Sequence, residues 1–224
     1  MLLKTLAVLM LSIIYINNVS YASGNLLKNP GFEVNSGPES KAAQSWTPAG
    51  GNVFHIWDNE YHGGNFSFKF WWAGNVVQSL PVVPGSEYRF SGWLCNPLSE
   101  PLPPKGTKSA FLKMEFISAD KGIICVKESE RFDRDREAGK WYQLKVKGFA
   151  PPNTARIKVS FEMKGGDGGG VIIGDDMSLE ILRTVKPSSK LYSINLEGDW
   201  LFQKGDKPEW AKSILANYEE EKWR

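Results

Sequence analysis

An all-β sandwich or jelly roll is the fold that this sequence predicts, and three observations predict it. Apolar residues recur at every second position in short runs, the period at which a half-buried strand turns alternate side chains to the core. Turn residues, chiefly Gly, Pro and Asn, separate the runs. No segment of the mature part carries a sustained helical period.

The first stretch after the N-terminal region, Asn25 to Glu33 (NLLKNPGFE), reads as a short apolar strand broken by an Asn-Pro-Gly turn. A polar loop leads to Trp46, and GGNVFHIW then places Phe54 and Ile56 opposite Val53, His55 and Trp57. In the next strand Phe66, Phe68, Phe70 and Trp72 share one face, while Ser67, Lys69 and Trp71 share the other. A Pro-Gly turn follows, and Tyr88, Phe90 and Leu94 then oppose Arg89, Ser91, Trp93 and Cys95. Trp71 and Trp93 therefore fall on polar faces. Residues 96–108 contain four prolines and form a loop. Beyond it Leu112, Met114 and Phe116 oppose Phe111, Lys113 and Glu115. After a charged connector over 131–140, Tyr142, Leu144 and Val146 oppose Trp141, Gln143, Lys145 and Lys147. Ile157, Val159, Phe161 and Met163 oppose Arg156, Lys158, Ser160 and Glu162; a glycine-rich turn over 164–170 leads to Met177, Leu179 and Ile181. Each is a strand with one wet face.

Twenty-seven basic residues against 25 acidic ones give no electrostatic case for a nucleic-acid partner. A 42% hydrophobic content with nine tryptophans is that of a chain able to bury a core. Residues 1–22 carry Lys4, an apolar run from Leu6 to Ile16, and small residues Ser20 and Ala22 framing a cut after Ala22. That is the pattern of an export signal. Asn17 and Asn18 end the apolar run too early for a membrane anchor, so no membrane partner is expected once the signal is removed. The expected location is periplasmic, secreted or at the cell surface. Cys95 and Cys125 are the two cysteines, open both to a disulfide in that compartment and to two small buried thiols.

Residues 23–182 make up the predicted sandwich, 183–190 a polar linker, and 191–224 a piece too poor in apolar positions to bury its own core. That last piece reads as the start of a second β domain or as a packed tail. No catalytic site is expected. The chain has only His55 and His62 as histidines, and no serine sits in a nucleophile elbow. The glycine run of 165–170 precedes no helix and so is no phosphate cradle.

NLLKNPGFE, QSLPVVPGSEYRFSGWL (Gln78 to Leu94) and IIGDDMSLEIL (Ile172 to Leu182) resemble, in this order, the carbohydrate-binding modules of families four, nine and twenty-two. The resemblance covers residues 25–182 and implies a jelly-roll β-sandwich that binds poly- or oligosaccharide without catalysis. LEGDWLFQKGDKPEWA, Leu196 to Ala211, is similar to the first strand of the sugar-binding domain that opens glycoside hydrolase family two. A downstream catalytic domain is a partner implied by that likeness.

Sugar recognition needs flat aromatic faces and a few polar groups. The candidates are Trp57, Tyr61, Trp71 and Trp93 as stacking surfaces and Glu115 as a hydroxyl partner, with Trp46, Trp72 and Trp141 assigned to packing. Asp175 and Asp176 are unusual within a strand; as an exposed pair they would guard a strand edge. The family likeness implies instead a structural calcium, with side-chain oxygens from Glu33 and Asp176, backbone carbonyls from Gly31 and Lys69, and Asp175 in the same set. Two other readings compete: a structural or protein-interaction jelly roll without a sugar site, and the N-terminal piece of a glycoside hydrolase or esterase.

Overall fold

The computed structural model describes residues 24–36, 42–49, 54–57, 59–166 and 168–184, with backbone alone at 49 and 54–57. The expected signal segment, most of the linker and the piece at 191–224 lie outside the described residues. Among the described residues the chain forms β1 (Thr47–Ala49), β2 (Phe54–Trp57), β3 (Ser67–Phe70), β4 (Gly74–Pro81), β5 (Glu87–Cys95) and β6 (Ser109–Ser118). These are followed by β7 (Ile123–Glu128), β8 (Phe132–Asp133), β9 (Trp141–Phe149), β10 (Thr154–Lys164) and β11 (Ile172–Arg183).

Two antiparallel sheets make a β-sandwich. One has the order β1-β4-β10-β6-β7, with β8 also pairing β6, and the other has the order β2-β3-β11-β5-β9. Between them Phe68, Phe70, Tyr88, Phe90 and Leu94 of one sheet meet Leu112, Met114, Phe116, Ile157, Val159 and Phe161 of the other, all buried. These are the residues that the alternation assigns to the core. Phe66 is only half-buried, because β3 starts one residue after it.

Two details differ from expectation, and a third decides between two readings left open. Asn25 to Glu33 is not a strand: Leu26 N donates to Leu179 O, but the Asn25 side chain, which accepts from Leu27 N and Leu179 N, takes the place of a ladder. β11 continues to Arg183, one residue into the expected linker. Cys95, in β5, and Cys125, in β7, are both free, on strands of different sheets.

Candidate functional site

The five-stranded sheet turns Trp93, Cys95, Trp141, Ile173 and Asp175 away from the main core. The register aligns Cys95 with Trp141 and with Ile173, and Trp93 with Asp175. This is the polar face that the alternation assigns to Trp93, but it is not bare. Trp71 packs with Trp141 against a second small cluster of Cys95, Val171 and Ile173. The Trp71 Nε1 donates to Glu100 Oε2 at 2.9 Å, and the Lys69 ammonium lies 4.1 Å from its ring centroid. His62 stacks on Trp93 with centroids 4.3 Å apart and planes 15° apart, and meets Trp141 edge-on at 5.5 Å. Trp71 and Trp93 are therefore half-buried and not the open platforms that alternation suggests. Alternation fixes which side of a sheet a residue faces, not whether a loop lies over that side.

Glu100 is what fastens the proline-rich loop to this face. Its carboxylate also pairs with the fully buried Lys69 ammonium. Burial pushes the Lys69 pKa down despite Glu100 and Glu60. For Glu100 burial acts upward, but the Lys69 and Trp71 hydrogen bonds outweigh it and hold the carboxylate below its ordinary range. The pair is asymmetric because only the lysine is fully desolvated.

Beside this region a cleft of about 220 Å³ is lined by Asn59, Glu60, Tyr61, Cys95, Leu98, Gly139 and Trp141. Tyr61 is 44% exposed and Trp141 half-buried, so each has accessible aromatic surface at the cleft. Glu60 is anchored through its carbonyl, which accepts from Ser67 Oγ at 2.7 Å, and through Oε1, which accepts from Ser99 N at 3.2 Å. Among the described residues its Oε2, itself inaccessible, has no hydrogen-bond partner, a condition that a native carboxylate seldom tolerates. Gly139, at φ +76°, donates its amide to Asn96 O; a Cβ there would fall 2.8 Å from Leu98 Cγ. Burial, and then the Glu60 charge, push the Cys95 thiol up to about 12, so it enters the cleft wall as an inert apolar group.

A carboxylate cluster lies on the other side of His62. Asp175 is fully buried, with Oδ2 accepting from His62 N and Gly63 N and Oδ1 from Asp176 N. Burial raises its pKa to about 6 against those three amides. Asp176 sits at φ +46° where the β11–β5 register slips, and its Oδ2 bonds His62 Nδ1 at 2.7 Å. Glu33 accepts from the amides of Asn65 and Phe66. A Cβ on Gly31 would stand 3.5 Å from Asp176 Oδ1, 3.7 Å from Asp175 Oδ1 and 3.6 Å from Glu33 Cγ. β11 lies at the centre of its sheet, so these acids do not guard a strand edge. In charge and donor type the three carboxylates around Gly31 suit a hard cation. Among the described residues no three acidic, histidine or cysteine side chains already stand in ligand geometry, and backbone amides bond the carboxylates of Asp175 and Glu33. Lys69 lies in the middle of β3, in register between His55 and Ile173, which makes its carbonyl the weakest member of the expected set.

Glu115 does not belong with the aromatic residues. It lies on the outer face of the other sheet, buried, with Oε2 against the Lys158 ammonium and Oε1 3.6 Å from Lys113. The Lys158 contact is an ion pair, and among the described residues Oε2 makes no hydrogen bond. Lys113 also reaches Glu162 at 2.5 Å. Burial acts against the Lys113 ammonium, but Glu162 and Glu115 outweigh it and raise its pKa. These acids are occupied by lysines, so Glu115 is an ion-pair partner and not an available hydroxyl acceptor. The Trp57 side chain lies outside the described residues. Trp46 is buried as assigned, whereas Trp72 is 53% exposed at the β3–β4 turn, because β3 ends at Phe70 and alternation stops with it. Glu60, Leu98 and the cleft-lining role of Trp141 were not legible in the sequence. Two of them sit in loops without a period, and the third needs the β5–β9 register.

No protein-family model matches the sequence, and no curated protein matches it. The fold does match solved structures. A xylan-binding CBM22-1 domain of Paenibacillus barcinonensis Xyn10C is 14% identical at a TM-score of 0.52, over 73% of this chain and 98% of that one. The CBM22-1–GH10 modules of Clostridium thermocellum Xyn10B with xylohexaose give 18% and 0.52, over 71% of this chain and 29% of that one. The enzymatically active domain of bacteriophage CBA120 tailspike protein 4 gives 13% and 0.50, over 70% of this chain and 21% of that one. At these identities the likeness establishes the jelly-roll β-sandwich and nothing finer.

Proposed function

We propose that the described sandwich is a non-catalytic carbohydrate-binding module and that it holds sugar in the cleft between Tyr61 and Trp141. The observation that carries this reading is the cleft itself, one opening with accessible aromatic surface from two side chains on its walls. Aromatic faces take the apolar side of a sugar ring, and polar groups fix its hydroxyls. The fold neighbours include a domain named for xylan binding and a module joined to a GH10 module. Both support a role in tethering a larger enzyme or surface assembly to polysaccharide, where weak contacts gain from multivalency.

Export past the membrane, a structural calcium at Glu33, Asp175 and Asp176, and a second β domain after residue 190 belong to the same proposal. If bound, the cation would neutralise the three carboxylates and tie the segment around Gly31 to β11; it has no part in sugar chemistry. The covered state of Trp71 and Trp93 favours one rival, a jelly roll with a structural role alone. Affinity electrophoresis through gels containing soluble polysaccharides separates the two: retardation by at least one glycan, lost in Tyr61→Ala, is expected. Free migration in every gel would sink the proposal.

A further inference from the structure

We infer that the ligand is a carboxylated glycan, bound as an extended chain from the Trp141 wall of the cleft along the outer side of β9. This rests on the carbohydrate reading and adds the charge and the path of the ligand. Strand β9 leaves the cleft at Trp141 and turns Gln143, Lys145 and Lys147 outward, all three exposed, while Leu144 and Val146 face the core. Outward residues of a strand stand about 7 Å apart, so the row runs about 20 Å from Trp141 to Lys147. Only a chain of several sugar units spans it. Among the described residues β9 is an edge strand of its sheet, so the row is open along one flank.

Charge sets this row apart. Among the described residues Lys145 and Lys147 have no acidic partner, whereas cations on neighbouring surfaces do. Arg89, in register with Lys147, holds Glu180, and on the other sheet Lys113 and Lys158 hold Glu162 and Glu115. A third ammonium without an acid comes to the same edge from β7. A Cβ on Gly148 would stand 3.1 Å from Lys127 Cγ, which places the exposed Lys127 stem against β9. Glu87 lies at the far end of the row, in register with Phe149 and Arg183. Three lysines free of acids draw anions to this edge, and the aromatic surface of Tyr61 and Trp141 takes a sugar ring. An anionic glycan satisfies both. Glu60 does not oppose it from the cleft wall, because its Oε1 accepts from Ser99 N and its Oε2 is inaccessible.

The test is isothermal titration calorimetry on the full chain with xylohexaose, with the same xylose chain bearing a glucuronic acid branch, with hexagalacturonate and with a glutamate pentapeptide. At least one carboxylated glycan is expected to bind about fivefold or more tighter than xylohexaose at about 50 mM salt, an advantage that shrinks at about 200 mM. Lys145→Gln combined with Lys147→Gln should erase that advantage and leave xylohexaose unchanged. Lys28→Gln, exposed beside β4, should alter neither. Tyr61→Ala should weaken charged and neutral glycans alike. Equal affinity for carboxylated and neutral chains, or an advantage that survives the double variant, would overturn the inference and leave carbohydrate binding standing, the lysines then serving to guard a sheet edge. A pentapeptide that binds as tightly as the carboxylated glycans would overturn it in favour of an acidic protein partner. Absence of binding by every glycan would overturn the carbohydrate reading itself.

Discussion

The imidazole of His62 lies flat on the indole of Trp93, 4.3 Å between centroids, while its Nδ1 bonds Asp176 and its main-chain amide bonds Asp175. One residue thus covers a tryptophan and ties its loop to β11. His62→Ala should raise the accessibility of Trp93 to acrylamide quenching and lower stability by about 1 kcal/mol, the scale of one aromatic pair. Unchanged quenching would show that Trp93 is shielded by something else.

Tyr61 and Trp71 should separate binding from stability. Tyr61→Ala removes an exposed cleft wall and should weaken glycan retardation with little effect on urea unfolding. Trp71→Ala removes a packed indole and its bond to Glu100, and should cost about 2–4 kcal/mol, slightly below a fully buried tryptophan. The reverse pattern would return Trp71 to the sugar site.

Acid should loosen the Glu100 contact. Its folded pKa lies below the ordinary 4.5, so the folded state binds fewer protons than the unfolded one and the contact stabilises above that range. Its contribution is lost as pH falls through the folded pKa. Trp71 emission should shift as pH falls below the ordinary carboxylate range, and Glu100→Gln should remove the transition. Because Glu100 is partly exposed, the associated stability change is modest.

Gly174 and Gly92 give a paired test of the core. A Cβ at Gly174 would meet Phe161 Cε1 at 2.4 Å, a ring fixed between the sheets, and Gly174→Ala should cost about 1–3 kcal/mol. A Cβ at Gly92 meets the Met177 sulfur at 2.2 Å, but that side chain can turn aside. Urea midpoints should therefore fall further for Gly174→Ala than for Gly92→Ala.

Calcium binding at the carboxylate cluster predicts thermal stabilisation. With free Ca²⁺ at about 100 times its Kd, the gain should be about 2.7 kcal/mol, read by calorimetry against chelator-treated protein. Glu33→Gln and Asp176→Asn should each reduce it. An identical melting temperature with and without Ca²⁺ would remove the metal from the proposal.

Much of the fold was readable because the pleat imposes its period on neighbouring residues. Phe68, Phe70, Leu112, Met114, Val159 and Phe161 announced their burial by position alone. The candidate site was legible only in part. Tyr61 stood out as an aromatic residue in a loop, and Asp175 with Asp176 as acids in a strand. Glu115 misled because its strand position says nothing of Lys113 and Lys158, brought beside it by local spacing and by the β6–β10 register.

By itself the sequence determined which residues of most strands face the core, since that depends on backbone geometry over a few positions. It did not determine that Lys69 and Phe111 are buried on the outer faces or that Trp72 is exposed. The tertiary structure decided which outer tryptophans are covered. Glu100 closes over Trp71, 29 residues away in the chain, and His62 over Trp93. It also decided that Tyr61, Leu98 and Trp141 meet around one cleft. Those contacts come from loops docking across strand ends, where no local period records what will lie on top.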